Sequence, residues 1–246
     1  MKALITGASS GIGKEIARIL SEKGYDVVIT ARRENLLNDL KAELKTECKI
    51  VRADLSKEDD VKKLFEDNKD IDILVNNAGF GVFGEFDKTD LSRELEMINL
   101  NITALHMLTK RYMAEFKKRG SGKILNVASS AAFFPGPKFS SYYASKAYVY
   151  RLSIALAEEL RREKSPVTVS VFCPGPVRTE FNSTAGVKFG IGSISAFEAA
   201  KSAVCGMLKG KRVITPDFKT ACLKSLSALV PDCVAARIVY KLQEKK

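Results

Sequence analysis

Short runs of apolar, often β-branched residues alternate along the 246-residue chain with longer amphipathic runs. The apolar runs predict strands, and the amphipathic runs predict the helices that connect them. The predicted strands are Ala3–Thr6, Val27–Thr30, Ile50–Ala53, Ile73–Asn76, Ile124–Ala128, Thr168–Cys173 and Arg212–Thr215, and the predicted helices are Gly13–Lys23, Asn35–Lys45, Glu58–Asp67, Leu91–Lys118, Ser141–Lys164 and Ile194–Leu208. Most of these strands are continuously apolar, as expected where helices cover both faces of a parallel sheet. The pattern therefore predicts an α/β fold with a doubly wound parallel sheet.

The composition limits the class of protein. Hydrophobic residues make up 46% of the chain and charged residues 28%, which suits a globular fold with a buried core. The five cysteines are odd in number and show no Cys-x-x-Cys spacing, and an apolar strand begins directly after Met1. These features predict free thiols, no secretory segment and a cytoplasmic protein. A single histidine, His106, excludes a multi-histidine zinc site, and no bound metal is expected.

No linker or composition break divides residues 1–246, so we expect a single domain. Residues 181–195 contain three glycines and no strong period, which predicts a loop that lies over a binding site. Residues 209–246 form a basic C-terminal extension, with nine Lys or Arg against three acidic residues of a chain whose net charge is +11. A solvated surface explains this charge most simply. The alternatives are a site for phosphates, for an acidic carrier protein or for an anionic membrane.

The first predicted strand ends in a glycine-rich turn, Thr6-Gly7-Ala8-Ser9-Ser10-Gly11-Ile12-Gly13, and a helix follows at once. Such a turn lets a pyrophosphate approach the backbone, and the helix N-terminus offers unpaired N–H groups to it. A purely structural turn is the alternative. The position between a strand and a helix, at the head of a βαβ unit, favours dinucleotide binding.

The second predicted strand is followed by Arg32 and Arg33, where chains that bind NAD usually carry a carboxylate for the ribose hydroxyls. Guanidinium groups pair well with phosphate, so two arginines in place of a carboxylate favour NADP(H), which carries a 2′-phosphate. The alternative is that both arginines are surface charges. A helix N-terminus disfavours cations, which argues against it.

Tyr142 and Lys146 are four residues apart in a predicted helix, so their side chains share one face. An ammonium near a phenol should lower the phenol pKa and bring the tyrosine towards proton transfer near neutral pH. The spacing alone is common by chance. However, Ser129 precedes Tyr142 by 13 residues, directly after a predicted strand, and Asn76-Asn77-Ala78-Gly79 and Pro174-Gly175 also follow strands. The carboxyl ends of strands are where ligands bind in doubly wound sheets.

Taken together and in this order, these motifs closely resemble the short-chain dehydrogenase/reductase family over residues 3 to about 180. The resemblance implies a single Rossmann-like domain with a seven-stranded parallel sheet. Residues 1–120 would mainly bind the dinucleotide, and residues 121–180 would form the catalytic and nicotinamide side.

The resemblance also implies residue roles. Tyr142 would be the general acid in reduction and the base in oxidation, and Lys146 would bind the nicotinamide ribose and lower the Tyr142 pKa. Ser129 would hydrogen-bond the substrate oxygen, and Asn99 would hold a water that links Lys146 to solvent. The implied cofactor contacts are Gly7, Ser9, Ser10, Gly11, Ile12 and Gly13 at the phosphates, Arg32 with help from Arg33 at the 2′-phosphate, Asp54 and Leu55 at the adenine, Asn76, Ala78 and Gly79 at the adenosine ribose, and Pro174, Gly175, Val177 and Thr179 at the nicotinamide.

Two neighbours compete for the catalytic positions, because Ser130 and Tyr143 are also 13 residues apart. Only Tyr142 has a lysine four residues further on, so we assign Tyr142 and, from the same spacing, Ser129.

The substrate is predicted to be an apolar carbonyl or alcohol, such as a ketone, an aldehyde or a steroid-like molecule. Five phenylalanines follow predicted strands and are candidate walls of the substrate pocket: Phe80, Phe83, Phe134, Phe139 and Phe181. Of these, Phe181 is assigned to substrate binding. One alternative is a β-ketoacyl-carrier-protein reductase. A second, from another class, is a regulatory protein that senses NADP(H) without turnover.

The resemblance implies a homodimer or a homotetramer, formed through the two long predicted helices. Nucleic-acid binding would rest on net charge alone and is not expected. The C-terminal stretch is predicted to extend over the substrate mouth or to form a subunit contact, and membrane contact is the less favoured alternative.

Overall fold

A computed structural model describes residues 1–181 and 193–244. Its main sheet has seven parallel strands: β1 (Lys2–Thr6), β2 (Asp26–Ala31), β3 (Cys48–Arg52), β4 (Ile73–Asn76), β5 (Lys123–Val127), β6 (Thr168–Phe172) and β9 (Val213–Ile214). The strand order is β3-β2-β1-β4-β5-β6-β9, and every neighbouring pair is parallel. A small second sheet pairs β7 (Val177–Arg178) with β8 (Ile194–Ser195). The predicted doubly wound, seven-stranded fold is confirmed.

Helices connect the strands and cover both faces of the main sheet: α1 (Gly11–Glu22), α2 (Glu34–Glu43), α3 (Glu58–Glu66), α4 (Leu91–Ile98), α5 (Leu105–Arg119), α6 (Ser140–Arg162) and α7 (Ala196–Leu208). Two further helices, α8 (Phe218–Ser227) and α9 (Asp232–Gln243), follow the last strand. None of the helices within the described ranges combines the length and apolar character that crossing a membrane requires.

The core has one layer on each side of the sheet, because successive strand residues point to opposite faces. Ala3 and Ile5 of β1 belong to the layer that contains Leu20 of α1 and Ala203 of α7. Leu4 of β1 belongs to the opposite layer, with residues of α3, α5 and α6. Burial on both faces explains why the strand sequences show no polar alternation.

The order in which strands are added to the sheet changes direction between β1 and β4. Strands β2 and β3 lie on one side of β1, and β4 begins the series on its other side. At such a switch point the connections on the two sides diverge and leave a crevice at the carboxyl ends of the strands. The fold therefore places the glycine-rich turn after β1 next to the loop after β4.

The long helix predicted over Leu91–Lys118 is not continuous. A π-helical segment, Asn99–Ala104, separates α4 from α5. π-Helical turns change which residues face inward and often occur at functional sites. The helix predicted from Ile194 begins instead at Ala196, because Ser195 and Glu198 form a capping box. Most of the loop predicted over residues 181–195 lies outside the described residues.

Packing of α7 against the sheet edge makes a testable prediction. A Cβ atom on Gly206 would lie 2.6 Å from Cγ1 and 2.7 Å from Cδ1 of Ile214, a buried residue of β9. We expect Gly206→Val to lower the free energy of unfolding by about 1–3 kcal/mol through overpacking. Cys205, its exposed neighbour on the same helix, is the matched control. Cys205→Val should change the value by less than about 0.5 kcal/mol in urea unfolding. Equal effects of the two substitutions would contradict this account of the packing.

Candidate functional site

A cleft of about 1030 Å³ lies at the carboxyl edge of the main sheet. It is lined by most of the residues that the sequence analysis assigned to a cofactor: Gly7, Ser9, Ser10, Gly11, Ile12, Arg32, Arg33, Asp54, Leu55, Ala78, Gly79, Pro174, Gly175, Val177 and Thr179. The candidate catalytic and substrate residues Ser129, Tyr142, Lys146 and Phe181 line the same cleft. The structure therefore gathers residues from distant parts of the chain into one site.

The glycine-rich turn has the backbone that a phosphate site needs. Gly7 and Gly11 have φ values of +66° and +57°, a region that side chains disfavour. A Cβ on Gly7 would lie only 2.8 Å from Cα of Ala78, so the turn lies directly against the loop after β4. The Ser10 side chain makes no capping hydrogen bond to α1, which leaves the N–H groups of the first helical turn facing the cleft. This cradle fits the pyrophosphate of a dinucleotide.

Gly13 was predicted to belong to the cofactor site, and the structure places it against the carbonyl of Gly7. Gly13 does not line the cleft. A Cβ there would lie 2.4 Å from Nδ2 of Asn77 and 2.5 Å from the carbonyl oxygen of Gly7. Its role is to let α1 pack against the turn.

Arg32 and Arg33 both border the cleft at the end of β2, with about half of each side chain exposed. Nη2 of Arg33 donates to Oγ of Ser9 at 3.2 Å and to Oγ of Ser10 at 3.1 Å, and lies 2.8 Å from Oε2 of Glu180. Nη1 of Arg32 lies 2.7 Å from Oε1 of Glu96. Arg33 is thus the arginine that contacts the phosphate-binding turn. The sequence had favoured Arg32 at the 2′-phosphate, with Arg33 assisting it.

Asn76 was predicted to line the adenosine-ribose side, and the structure contradicts this. Its buried side chain points into the sheet and helix layer, where Nδ2 donates to Oδ1 of Asn126 at 2.9 Å and to Oγ1 of Thr109 at 3.0 Å. The next residue, Asn77, lines the cleft instead and donates to the carbonyl oxygens of Thr6 and Gly7. Strand alternation reverses the direction of neighbouring side chains, and that signal could have distinguished the pair.

Tyr142 and Lys146 lie side by side on α6, as their spacing predicts. Tyr142 is 7% exposed, and its ring stacks on Phe139 with centroids 4.5 Å apart. Nζ of Lys146 lies 5.8 Å from the Tyr142 ring centroid and donates to the Val127 carbonyl at 3.0 Å. Ser129 follows β5 and caps a short 3₁₀ helix, where its Oγ accepts from the Ala131 N–H at 3.1 Å.

Burial has the largest effect on the pKa values of Tyr142 and Lys146. Desolvation raises the pKa of Tyr142 above its usual range, and a hydrogen-bonding interaction with Ser129 opposes this only in part. Desolvation also lowers the pKa of Lys146 to about 8. The expectation that Tyr142 has a depressed pKa is therefore wrong for the protein by itself. At neutral pH the phenol carries its proton, and most of the Lys146 population is charged.

Asn99 was assigned to a water that links Lys146 to solvent, and the structure contradicts this. Asn99 is exposed, whereas Asn101, two residues further along the π-helical segment, is 1% exposed. Nδ2 of Asn101 donates to the Phe80 carbonyl at 2.9 Å and to Oγ of Ser145 at 3.1 Å, and Oδ1 accepts from the Phe80 N–H. A Cβ on Gly79 would lie 2.8 Å from Oδ1 of Asn101 and 3.4 Å from Nζ of Lys146, which places the amide beside the lysine.

Asn101 could have been found from the sequence. It is in phase with the apolar residues Met97, Ala104 and Leu108, at the three- and four-residue spacing of one helix face, whereas Asn99 is out of phase.

The two competing neighbours also border the cleft, but their contacts differ. Tyr143 accepts a hydrogen bond at 3.1 Å from Nε2 of Gln243, which connects α6 to α9. Ser130 donates its backbone N–H to the Pro174 carbonyl at 2.7 Å. Tyr142 remains the tyrosine that lies beside Lys146.

Apolar side chains form the rest of the cleft wall. Phe80, Phe134, Phe139 and Phe181 line it, whereas Phe83 packs against Phe139 at 5.8 Å without lining it. A larger part of the wall comes from the C-terminal helices and the turn between them: Leu223, Leu226, Val230, Ala235, Ile238, Val239 and Leu242. This stretch was predicted to extend over the substrate mouth or to form a subunit contact, and these individual residues were not identified from the sequence. His106 lies away from the cleft, where Nδ1 is 2.7 Å from the Tyr148 hydroxyl.

Comparison with known proteins gives consistent matches. A family model described as short chain dehydrogenase matches residues 1–188. Nodulation protein G from Rhizobium sp. (strain N33) is 38% identical over 181 residues, which cover 71% of this chain and 72% of that protein. A short-chain dehydrogenase from Sphingobium yanoikuyae in complex with NADPH superposes with a TM-score of 0.83 at 30% identity, over 93% of this chain and 92% of that one. The bulky-bulky ketone specific alcohol dehydrogenase from Comamonas testosteroni gives a TM-score of 0.78 at 28% identity, over 96% of each chain.

The correction at Asn101 makes a prediction about stability. Asn101→Ala leaves the buried N–H and carbonyl groups of Phe80 without their amide partner, and we expect the free energy of unfolding to fall by about 1–3 kcal/mol. Asn99→Ala, in the same segment but exposed, should change it by less than about 0.5 kcal/mol. Chemical denaturation of both variants measures the difference. A larger effect at Asn99 than at Asn101 would contradict this account of the packing.

Proposed function

The chain belongs to the short-chain dehydrogenase family, and on that premise we propose that it is an NADP(H)-dependent oxidoreductase. It transfers hydride between the nicotinamide and the carbonyl or secondary-alcohol carbon of an apolar substrate. The observation that carries this proposal is the meeting of Ser129, Tyr142 and Lys146 in the same cleft as the glycine-rich turn.

The nicotinamide, when bound, supplies or accepts the hydride. The residues of the chain handle the proton and the oxygen. Tyr142 donates its proton to the substrate oxygen during reduction, and Ser129 donates a hydrogen bond to the same oxygen as negative charge develops on it. Lys146 holds a positive charge beside the phenol and stabilises the phenolate that proton donation leaves.

The protonation state of Tyr142 at neutral pH is the one that reduction requires. A buried phenol with a raised pKa is a proton donor at neutral pH and not a base. Cofactor ribose hydroxyls at Nζ of Lys146 would add hydrogen-bond acceptors for the ammonium and favour its charged form. Asn101 acts as a positioning residue in this scheme, because it connects the loop after β4 to α6 through Phe80 and Ser145.

We propose NADP(H) as the preferred cofactor because two guanidinium groups, and no carboxylate, follow β2 at the cleft. The neighbour from Sphingobium yanoikuyae was solved with NADPH, which is consistent with this preference. The contact of Arg33 with the Ser9 and Ser10 hydroxyls supports a role for Arg33, beside Arg32, at the 2′-phosphate.

The walls of the cleft support a bulky apolar ketone, aldehyde or steroid-like substrate. Phenylalanine side chains and aliphatic residues of α8 and α9 surround the space beyond Tyr142. The alcohol dehydrogenase from Comamonas testosteroni is described as specific for ketones with two bulky sides, which agrees with this choice. Cytoplasmic location and a homodimeric or homotetrameric state stay predictions.

One alternative keeps the same chemistry on an acyl group attached to an acidic carrier protein. The basic C-terminal residues beside the cleft favour this alternative, because they would attract an acidic carrier protein. Activity on an acyl thioester, without activity on simple ketones, would support this alternative.

The proton-donor role of Tyr142 is tested by a pair of neighbouring substitutions. Tyr142→Phe should lower kcat/KM for ketone reduction by a factor of about 10² to 10⁴ while NADPH binding persists. Tyr143→Phe removes the neighbouring hydroxyl, which accepts from Gln243, and should change kcat/KM only a few-fold. NADPH oxidation over a panel of ketones, aldehydes and steroids gives the rates, and cofactor fluorescence gives binding. Equal loss in both variants would count against the assignment, and undiminished activity of Tyr142→Phe would overturn it.

Cofactor preference is tested at the end of β2. Arg32→Ala and Arg33→Ala should each lower kcat/KM for NADPH by about 10- to 100-fold, because a charge-assisted hydrogen bond to phosphate is lost. The value for NADH should change only a few-fold. Arg93→Ala is the matched control, since Arg93 also pairs with Glu96 but does not line the cleft. Equal losses with NADPH and NADH would show that the arginines do not read the 2′-phosphate.

A further inference from the structure

Exposed apolar side chains concentrate on the C-terminal helices. Fourteen large hydrophobic residues are exposed within the described ranges, and eight of them fall between residues 218 and 242. These eight, the C-terminal apolar set, are Phe218, Leu223, Leu226, Leu229, Val234, Ile238, Tyr240 and Leu242. Phe218 and Leu229 are 82% and 80% exposed, so they contribute almost nothing to the core. Exposed apolar residues gathered in one place mark an interaction surface.

The exposed residues follow helical spacing. On α9, Val234, Ile238 and Leu242 recur every four residues, and all three are exposed. Arg237 and Lys241 fall between them at three-residue offsets and are also exposed. Ala235 and Gln243 of the same helix are buried. The exposed side chains of the helix therefore mix apolar and basic groups, which is the composition of helices that lie in a membrane interface.

Basic side chains outnumber acidic ones in this region. Lys219, Lys224, Arg237 and Lys241 lie on the two helices, and residues 209–246 carry nine basic against three acidic side chains. One of those acids, Asp217, is occupied in capping α8, where its carboxylate accepts from the Thr220 N–H at 2.8 Å. The surface is thus both apolar and cationic, and the partner that complements both properties is an anionic lipid bilayer.

A second copy of the chain complements this surface poorly. The most common symmetric dimer brings the same patch of both copies together, so basic residues would meet basic residues. Opposed like charges are costly unless they are paired.

We propose that α8 and α9 bind peripherally to anionic membrane surfaces, with the C-terminal apolar set in the interface and the basic side chains at the lipid phosphates. Four members of this set also line the cleft, so the substrate cavity opens at the membrane-facing surface: Leu223, Leu226, Ile238 and Leu242. An apolar substrate would then reach Tyr142 from the bilayer. That consequence rests on the proposed function, whereas membrane binding does not.

The test uses the full-length protein and flotation with two kinds of vesicle. One is phosphatidylcholine alone, and the other is phosphatidylcholine mixed with phosphatidylglycerol. We expect binding to the anionic vesicles, weaker binding as salt is raised, and little binding to the neutral ones.

Matched variants locate the surface. The double substitution Phe218→Glu and Leu229→Glu should lower the bound fraction on the order of 10-fold, because it removes apolar contacts and adds like charge. Phe197→Glu with Leu95→Glu is the control, since both residues are 50% exposed and neither belongs to the C-terminal apolar set. Unchanged NADPH binding in both double variants shows that they are folded.

Three outcomes would overturn the proposal. The first is no binding to anionic vesicles, and the second is equal loss in the test and control variants. The third is a dimer that the Phe218 and Leu229 substitutions dissociate without any vesicle binding, which would assign the surface to a second copy. None of these outcomes requires turnover, so failure here leaves the proposed reaction standing.

Discussion

The site depends on a buried lysine ammonium held beside a buried tyrosine hydroxyl. Taking a charge out of water is costly unless partners compensate, and desolvation lowers the pKa of Lys146 to about 8. Its described hydrogen bond goes to the Val127 carbonyl, at the end of a central strand. The rigid sheet thus fixes the ammonium, and helix α6 fixes the phenol next to it. The reduced access to water that raises the pKa of Tyr142 also keeps its proton available for a substrate oxygen.

The parallel sheet brings the other parts of the site to the same place. Strands β1, β2, β4, β5 and β6 all end at one edge, because every pair is parallel. The glycine-rich turn, the arginines, Ser129 and the Pro174-Gly175 turn follow four of these strands. A substitution that shifted the sheet would therefore disturb cofactor and substrate residues together, whereas α8 and α9 contribute only the outer apolar wall.

Much of this arrangement was predictable from the sequence, because it depends on local patterns. Continuous apolar runs indicated buried parallel strands, and glycines between a strand and a helix indicated the phosphate turn. The spacing of Tyr142 and Lys146 correctly placed both side chains on one helix face. Properties that depend on burial were not predictable in this way. The proximity of a lysine suggested an acidic phenol, but the structure shows that desolvation has the larger effect.

The remaining errors concern neighbouring residues of the same type. Asn76 and Asn77 are adjacent, and Asn99 and Asn101 lie two residues apart in one π-helical segment. In each pair a signal in the sequence would have selected the amide that the structure places at the site: side-chain alternation at the end of β4 for Asn77, and the helix face shared with Met97 and Ala104 for Asn101. The individual wall residues of α8 and α9 were not identified because these helices bury few residues: Thr220 in α8, and Ala235 and Gln243 in α9.

The central claim is that hydride and proton reach the substrate by separate routes, the hydride from the cofactor and the proton from Tyr142. Following deuterium from C4 of labelled NADPH into the alcohol product by mass spectrometry and NMR tests it most directly. The account predicts one deuterium on the carbinol carbon, and none on that carbon when unlabelled NADPH is used in heavy water. Label that appears in the solvent, or carbon-bound deuterium taken from heavy water, would contradict it.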